Sequence, residues 1–292
     1  VTEPTAALSV PSLEFTFFAR MQNAFDEAKA AGTIASNSAV YDAGNNQSTQ
    51  VSDVETAISN EGDFLVISAI TADGVINAIS QANDAEIPVV AIDRNVAEGE
   101  TISYVASQNE QLGVQSTELC LSLMQDQESK DSYNLVQLEG TPGASVTRER
   151  GAGFQTTVDN SDSLNRLASQ TGEFSTQNAL NVMEDFITQY GEEIDGVFCQ
   201  NDLMALGAHQ ALQNADTSIP ITGIDGTEAW VQIFPDNQYY GTVAQLPEDM
   251  VSTSIEQAKA HLDGEDVEEF VAIDGLEVTQ ETGPDYLSQY FG

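Results

Sequence analysis

Short apolar, β-branched runs alternate with longer stretches of helical period along almost the whole chain, and this rhythm constrains the fold more than any other feature. The runs are Ala7–Val10, Ala39–Tyr41, Phe64–Ser68, Val89–Ile92, Leu135–Leu138, Leu167–Ser169, Gly196–Cys199 and Ile219–Ile224. Helical patterns fill the gaps at Phe18–Ala31, Thr71–Asn83, Glu110–Met124, Gln177–Tyr190 and Leu203–Asn214. Strand and helix in strict alternation predict parallel sheets with helices on both faces, because parallel neighbours need a crossover that returns the chain to the same edge. Open sheets of this kind take ligands at the carboxyl ends of their strands, so a site built from many loops is expected.

With 292 residues the chain exceeds one ordinary core, and its units fall into two sets, before and after about Ser107. Ile102–Asn109 reads as a strand running from the first set into the second. A second crossing is expected at Val243–Pro247, because the amphipathic Glu248–Leu262 follows and must pack somewhere. The predicted lobes are residues 1–107 with 246–274, and 108–245 with 275–292, with a ligand cleft between them. No window approaches the roughly 20 apolar residues of a membrane-spanning helix. The opening VTEPTAALSV lacks the basic and apolar segments of a signal peptide, so an exported protein is expected to be in its mature form.

Charge narrows the partners. Forty-seven Asp and Glu against eight Lys and Arg give a net charge of −39. Nucleic acid and anionic membrane surfaces are poor partners for such a chain, since both need clustered cations. The excess reads as adaptation to high salt, where the Debye length shrinks to roughly 3 Å at 1 M, with plain solubility as the simpler account. Cys120 and Cys199 stand in no metal-binding spacing. Cys199 is expected to fill a buried strand position, and a Cys120–Cys199 disulfide is left open.

The strand ends carry a particular set of side chains. Phe17 and Phe18 follow the first strand, Asp93 and Arg94 follow VVAI, and Arg148 and Arg150 sit in TRERGAGF. Gln200, Asn201 and Asp202 follow VFC, Asp225 follows TGI and Gln245 follows TVA. Aromatic rings cover the C–H faces of a sugar, and planar Asp, Asn, Gln and Arg groups pair with its hydroxyls. Only five arginines occur in the chain, so two at predicted strand ends stand out, although neutralising local acidity would also explain Arg94 and Arg150. Catalytic motifs are missing: there is no GxSxG, HExxH, P-loop or GxGxxG, and His209 and His261 lie inside predicted helices, where surface positions are expected. No catalytic residue, metal or cofactor is therefore expected.

IPVVAIDR, TRERGAGF, ALNVMEDF, VFCQNDLMALGA, ITGIDGT and TVAQLP, in this order and spacing, resemble the periplasmic ribose-binding protein family, the type I periplasmic binding proteins of sugar ABC importers. The resemblance spans Leu8 to Val278. It implies an α/β fold of two Rossmann-like lobes with parallel sheets joined by a three-strand hinge. It also implies sugar contacts at Phe17, Phe18, Asp93, Arg94, Arg150, Phe174, Asn201, Asp225 and Gln245. Two further lining positions, Phe15 and Ser68, depart from the family pattern, which has Asn at both. Losing two amides argues for a ligand smaller or less hydroxylated than ribose, a furanose pentose or a four- to five-carbon polyol. By the same resemblance the chain is expected to be a monomer in the periplasm or on the extracellular face, with a lipid anchor as one means of retention. Its partners would be a small neutral sugar or polyol and, transiently, an inner-membrane ABC permease. A chemotaxis or quorum-signal receptor on the same scaffold, and more remotely a sugar-modifying enzyme, are the competing readings.

Overall fold

The computed structural model describes residues 3–292. In chain order the elements begin β1 (Ala6–Val10), α1 (Thr16–Ala30), β2 (Ala39–Asp42), α2 (Gln47–Ser59), β3 (Phe64–Ile67), α3 (Ile76–Asp84), β4 (Val89–Ile92), β5 (Ser103–Ala106) and α4 (Asn109–Gln127). They continue with β6 (Tyr133–Glu139), α5 (Ser145–Asp159), β7 (Leu164–Thr171), α6 (Thr176–Tyr190), β8 (Gly196–Cys199), α7 (Asp202–Asn214), β9 (Ile221–Asp225) and α8 (Glu228–Val231). The last are β10 (Tyr240–Ala244), α9 (Pro247–Leu262), β11 (Phe270–Ala272), β12 (Leu276–Thr279) and α10 (Gly283–Tyr290). Two compact units result. The first comprises residues up to Ser107, with Gly143–Val146 and Leu246–Asp274; the second comprises Gln108–Pro142, Thr147–Gln245 and Gly275–Gly292.

The first unit holds a six-stranded sheet in the order β11-β5-β4-β3-β1-β2, parallel throughout. Its central strands β1, β3 and β4 are buried along their whole length, as a position between two helix layers requires, whereas the edge strands β2 and β11 are partly exposed. Leu8, Val10, Phe64 and Val66 point to one face, where Met21 and Phe25 of α1 and Met250, Val251 and Ile255 of α9 cover them. Ala7, Leu65 and Ile67 point to the other, under Val54 of α2 and Ala78, Ile79 and Ala82 of α3. Helix α9 starts at Pro247, carries Glu248 and Asp249 in its first turn and ends near Lys259 and His261, so its sequence suits both ends of the helix dipole.

The second unit holds the order β12-β10-β9-β8-β6-β7, in which the edge strand β12 runs antiparallel to β10 and the rest are parallel. Strict alternation predicts parallel strands only, and β12 departs from it because the chain leaves this unit after β10, contributes α9 and β11 to the first unit, and returns as β12 without a crossover helix of its own unit. Leu112, Cys120 and Met124 of α4 pack with Phe154 of α5 over Leu135, Phe198, Ile224 and Val243. Helices α4 and α5 touch backbone to backbone: a Cβ at Gly113 would overlap the Arg150 carbonyl, and one at Gly153 the Glu110 carbonyl. Gly153 of TRERGAGF therefore serves packing, which period alone does not reveal.

Several expectations are corrected. TRERGAGF is not a strand-end loop; it lies within α5, so Arg150 is delivered by a helix. Phe17 and Phe18 belong to the first turn and a half of α1, and the helix expected from Thr71 begins only at Ile76. Cys120 and Cys199 are both buried free thiols, which closes the disulfide alternative. His209 is half-buried, its Nδ1 2.8 Å from the Tyr240 hydroxyl, whereas His261 is exposed.

Candidate ligand-binding site

Among the described residues, the buried charged side chains are Asp93, Arg94, Arg150, Asp202 and Asp225. Burying a charge is costly unless it is paired, and all five lie at or beside the carboxyl ends of parallel strands. In the first unit Arg94 follows β4. Its guanidinium lies 5.3 Å from the centre of the Phe18 ring, Nη1 donates to the Ile70 carbonyl at 3.3 Å and Nε is 3.9 Å from the Asp93 carboxylate. Asp93 takes φ = 57°, a left-handed backbone uncommon outside glycine, and its carbonyl accepts the Tyr104 hydroxyl at 2.7 Å. Ser68, fully buried at the end of β3, makes a long 3.5 Å contact to Asp93 Oδ2. Phe17 meets Phe18 edge-on at 5.4 Å, and Phe15 stands 6.2 Å from Phe18.

The second unit builds a comparable arrangement from other elements. Arg150 Nε donates to Asn109 Oδ1 at 2.8 Å and Nη1 to the Gln200 carbonyl at 2.7 Å, with Asp225 Oδ1 at 3.8 Å. The Phe174 ring centre lies 6.0 Å from the guanidinium. Phe174 has φ = 58°, and its ring occupies the space that a Cβ at Gly140 would need. Asn201 caps α7, its Oδ1 accepting the Met204 amide at 3.0 Å. Asp225, at φ = 123°, accepts Gln245 Nε2 at 2.8 Å through its carboxylate and the Gln245 amide at 3.1 Å through its carbonyl. Gln245 is fully buried, yet its Oε1 has no protein partner, an acceptor left to be satisfied. Behind these groups the Asp202 carboxylate accepts Thr242 Oγ1 at 2.7 Å and the Thr227 amide at 2.6 Å. Complete burial, and then the charge of Asp225, push its pKa well above the ordinary carboxylate range.

The first unit thus gathers Phe15, Phe17, Phe18, Ser68, Asp93 and Arg94, and the second gathers Arg150, Phe174, Asn201, Asp225 and Gln245. Asp93, Phe174 and Asp225 share left-handed backbone, a strain that surrounding hydrogen bonds must hold and that concentrates at functional sites. Gln50, Asn109 and Gln137 escape sequence reading, because a single amide in an amphipathic helix or buried strand carries no signal.

A model of the periplasmic binding protein domain matches residues 6–266. The ribose import binding protein of Haemophilus influenzae is 33% identical over 272 residues, covering 93% of this chain and 90% of that protein. A xylitol-binding protein of Mycolicibacterium smegmatis is 31% identical over 226 residues, covering 77% and 63% respectively. Among solved structures, the periplasmic binding component of the arabinose ABC transporter of Shewanella, bound to arabinofuranose, superposes with a TM-score of 0.89 at 26% identity, over 98% of this chain and 95% of that one. These are families of binders, not enzymes. With two doubly wound α/β units and a domain match running from β1 past α9, the chain belongs to the periplasmic binding protein family.

Proposed function

We propose that this chain captures a small neutral sugar or polyol outside the cytoplasm and presents it to an ABC permease. The observation that carries this reading is the charge balance. Each unit offers one buried guanidinium beside a carboxylate, Arg94 with Asp93 and Arg150 with Asp225, and each guanidinium lies near a phenylalanine ring. A ligand with net charge would meet an opposing partner in both halves. A hydroxylated neutral one accepts from the arginines, donates to the carboxylates and lays its C–H faces on the rings.

Phe15 and Ser68 set the size. Both stand where the ribose-binding family carries Asn, so the first unit offers two fewer amides, and we infer a furanose pentose or a four- to five-carbon polyol. Relatives named for xylitol and crystallised with arabinofuranose support that range. No helix among the described residues is long and apolar enough to cross a membrane. In this reading the receptor works as a monomer, is retained by a lipid where it is anchored, and meets its permease transiently. A thermal-shift screen of pentoses, hexoses and polyols tests the reading, since ligand at 100 times Kd adds about 2.7 kcal/mol. Stabilisation by a neutral five-carbon compound is expected. Stabilisation by charged solutes alone would refute it.

A further inference from the structure

We propose that two fully buried glutamines, Gln50 in the first unit and Gln200 in the second, are positioning residues that aim the two ligand-binding arginines; the inference rests on the function proposed above. Both side chains are 0% exposed, and each spans a strand-end loop with both ends of its amide. From α2, Gln50 Nε2 donates to the Ser68 carbonyl at 2.8 Å while Oε1 accepts the Ile70 amide at 2.9 Å. One side chain thereby fixes the turn that leaves β3. The Ile70 carbonyl of that turn is the group that receives Arg94 Nη1.

The second unit solves the same problem with different elements. Gln200 Oε1 accepts the Gly140 amide at 2.9 Å and Nε2 donates to the Thr147 carbonyl at 3.1 Å, tying the end of β6 and the first turn of α5 to the end of β8. Its own carbonyl receives Arg150 Nη1, and Arg150 rides on that same helix. In both units, then, the carbonyl that orients the guanidinium sits on backbone pinned by a buried amide.

Glutamine suits this task on chemical grounds. An irregular loop buried at a strand end presents one unpaired donor and one unpaired acceptor, and a carboxamide supplies both complements without charge. A charged clamp would upset the balanced pairs of Asp93 with Arg94 and Asp225 with Arg150. Because a guanidinium has a rigid planar fork, the direction of the carbonyl it meets sets which way its remaining N–H groups point. Small misplacement of such groups is expensive in binding, since geometry that a ligand must restore is taken from its affinity.

The test replaces each glutamine by methionine, which keeps the length and loses both hydrogen bonds, and by glutamate, which keeps the acceptor. Val54→Ala, in the same helix as Gln50 and in its apolar cluster, serves as a control that weakens packing without a polar atom to lend the turn. Affinity is measured by calorimetry for the best binder of a sugar and polyol panel, at a temperature where circular dichroism shows every variant folded. Ligand-free crystal structures of the same variants report the arginine positions. Gln50→Met and Gln200→Met are expected to weaken binding about ten-fold or more, with the guanidinium of Arg94 or Arg150 turned from its native place. Val54→Ala should stay within about two-fold although its melting temperature falls. If a methionine variant does not fold, its glutamate counterpart decides, with a loss of about three-fold or more expected. Native affinity in these variants overturns the proposal and leaves the function intact. If the native chain binds nothing in the panel, the function fails, and the crystals decide this inference alone: arginines that stay in place overturn it, arginines that turn support it.

Discussion

Arg150 has almost no freedom left to search for a ligand. It is 3% exposed, with Asn109 and Gln200 holding two of its nitrogens and Asp225 nearby. A charged hydrogen bond contributes about 1.5–3 kcal/mol, and removing the guanidinium also takes the cation from beside the buried Asp225 carboxylate, so Arg150→Ala is expected to weaken binding by about 100-fold or more. Calorimetry on the folded variant checks this, and unchanged affinity would remove Arg150 from the site. In the function proposed above, Phe15 is the residue that sets ligand choice. It occupies the N-cap of α1 in an extended conformation, and its side chain makes no capping bond. Asn is among the best residues there, worth about 1 kcal/mol at a cap, so Phe15→Asn should recover in capping part of what it loses in packing and shift preference toward ribose. A ribose affinity that stays flat or falls would contradict this. Asp93, Arg94 and Asp225 were legible because charged residues at apolar strand ends are conspicuous in a chain with eight cations, and Arg150 was legible through TRERGAGF although it lies on a helix. Gln50 was invisible, because its role depends on a turn folded 18 and 20 residues away.

Arg150 reaches its partners only because α4 and α5 lie in backbone contact. Gly113 and Gly153 allow this, and in Gly153→Ala the new methyl must push α5 off the Glu110 carbonyl. Overpacking of this kind costs about 1–3 kcal/mol, and here it should weaken ligand affinity as well, because α5 carries Arg150. Urea titration and calorimetry on the same sample would show it; a stable variant with native affinity would not fit the packing described. The apolar layer of the second unit also predicts alkaline sensitivity. Burial raises the Cys120 thiol from 9.0 to about 12, and burial raises the Tyr240 hydroxyl from 10.0 to about 12. Above about pH 9 the unfolded chain therefore releases protons that the folded one keeps, and stability falls as pH rises through that window, by at most about 1.4 kcal/mol per pH unit for each group. The urea midpoint at about pH 10 should lie below that at about pH 8, and Cys120→Ala should reduce the difference. Equal midpoints would show that neither group is shielded.

Charge acts on the molecule as a whole. Among the described residues the buried acidic ones are Asp93, Asp202 and Asp225, and two of the eight cations, Arg94 and Arg150, are buried with them, so the excess of negative charge stands almost entirely at the surface. Mutual repulsion then opposes the compact state, and salt relieves it as the Debye length falls from about 30 Å at 0.01 M to about 3 Å at 1 M. The melting temperature should climb with KCl, mostly below a few tenths molar if screening alone is responsible, while affinity for a neutral ligand changes little. A flat curve from about 0.01 to 2 M would end the salt-adaptation reading. That surface charge is a matter of composition and is readable without a structure, as are the α/β class, the strand positions and the polar strand ends, since period and residue type act over a few neighbours. The antiparallel β12, the placement of Arg150 on a helix, the free thiols of Cys120 and Cys199, the amide of Gln50, and the remote turns that Gln50 and Gln200 pin were not readable. Each depends on which segments meet after the chain has folded, and contacts between residues far apart in the chain leave no local period or motif in the sequence.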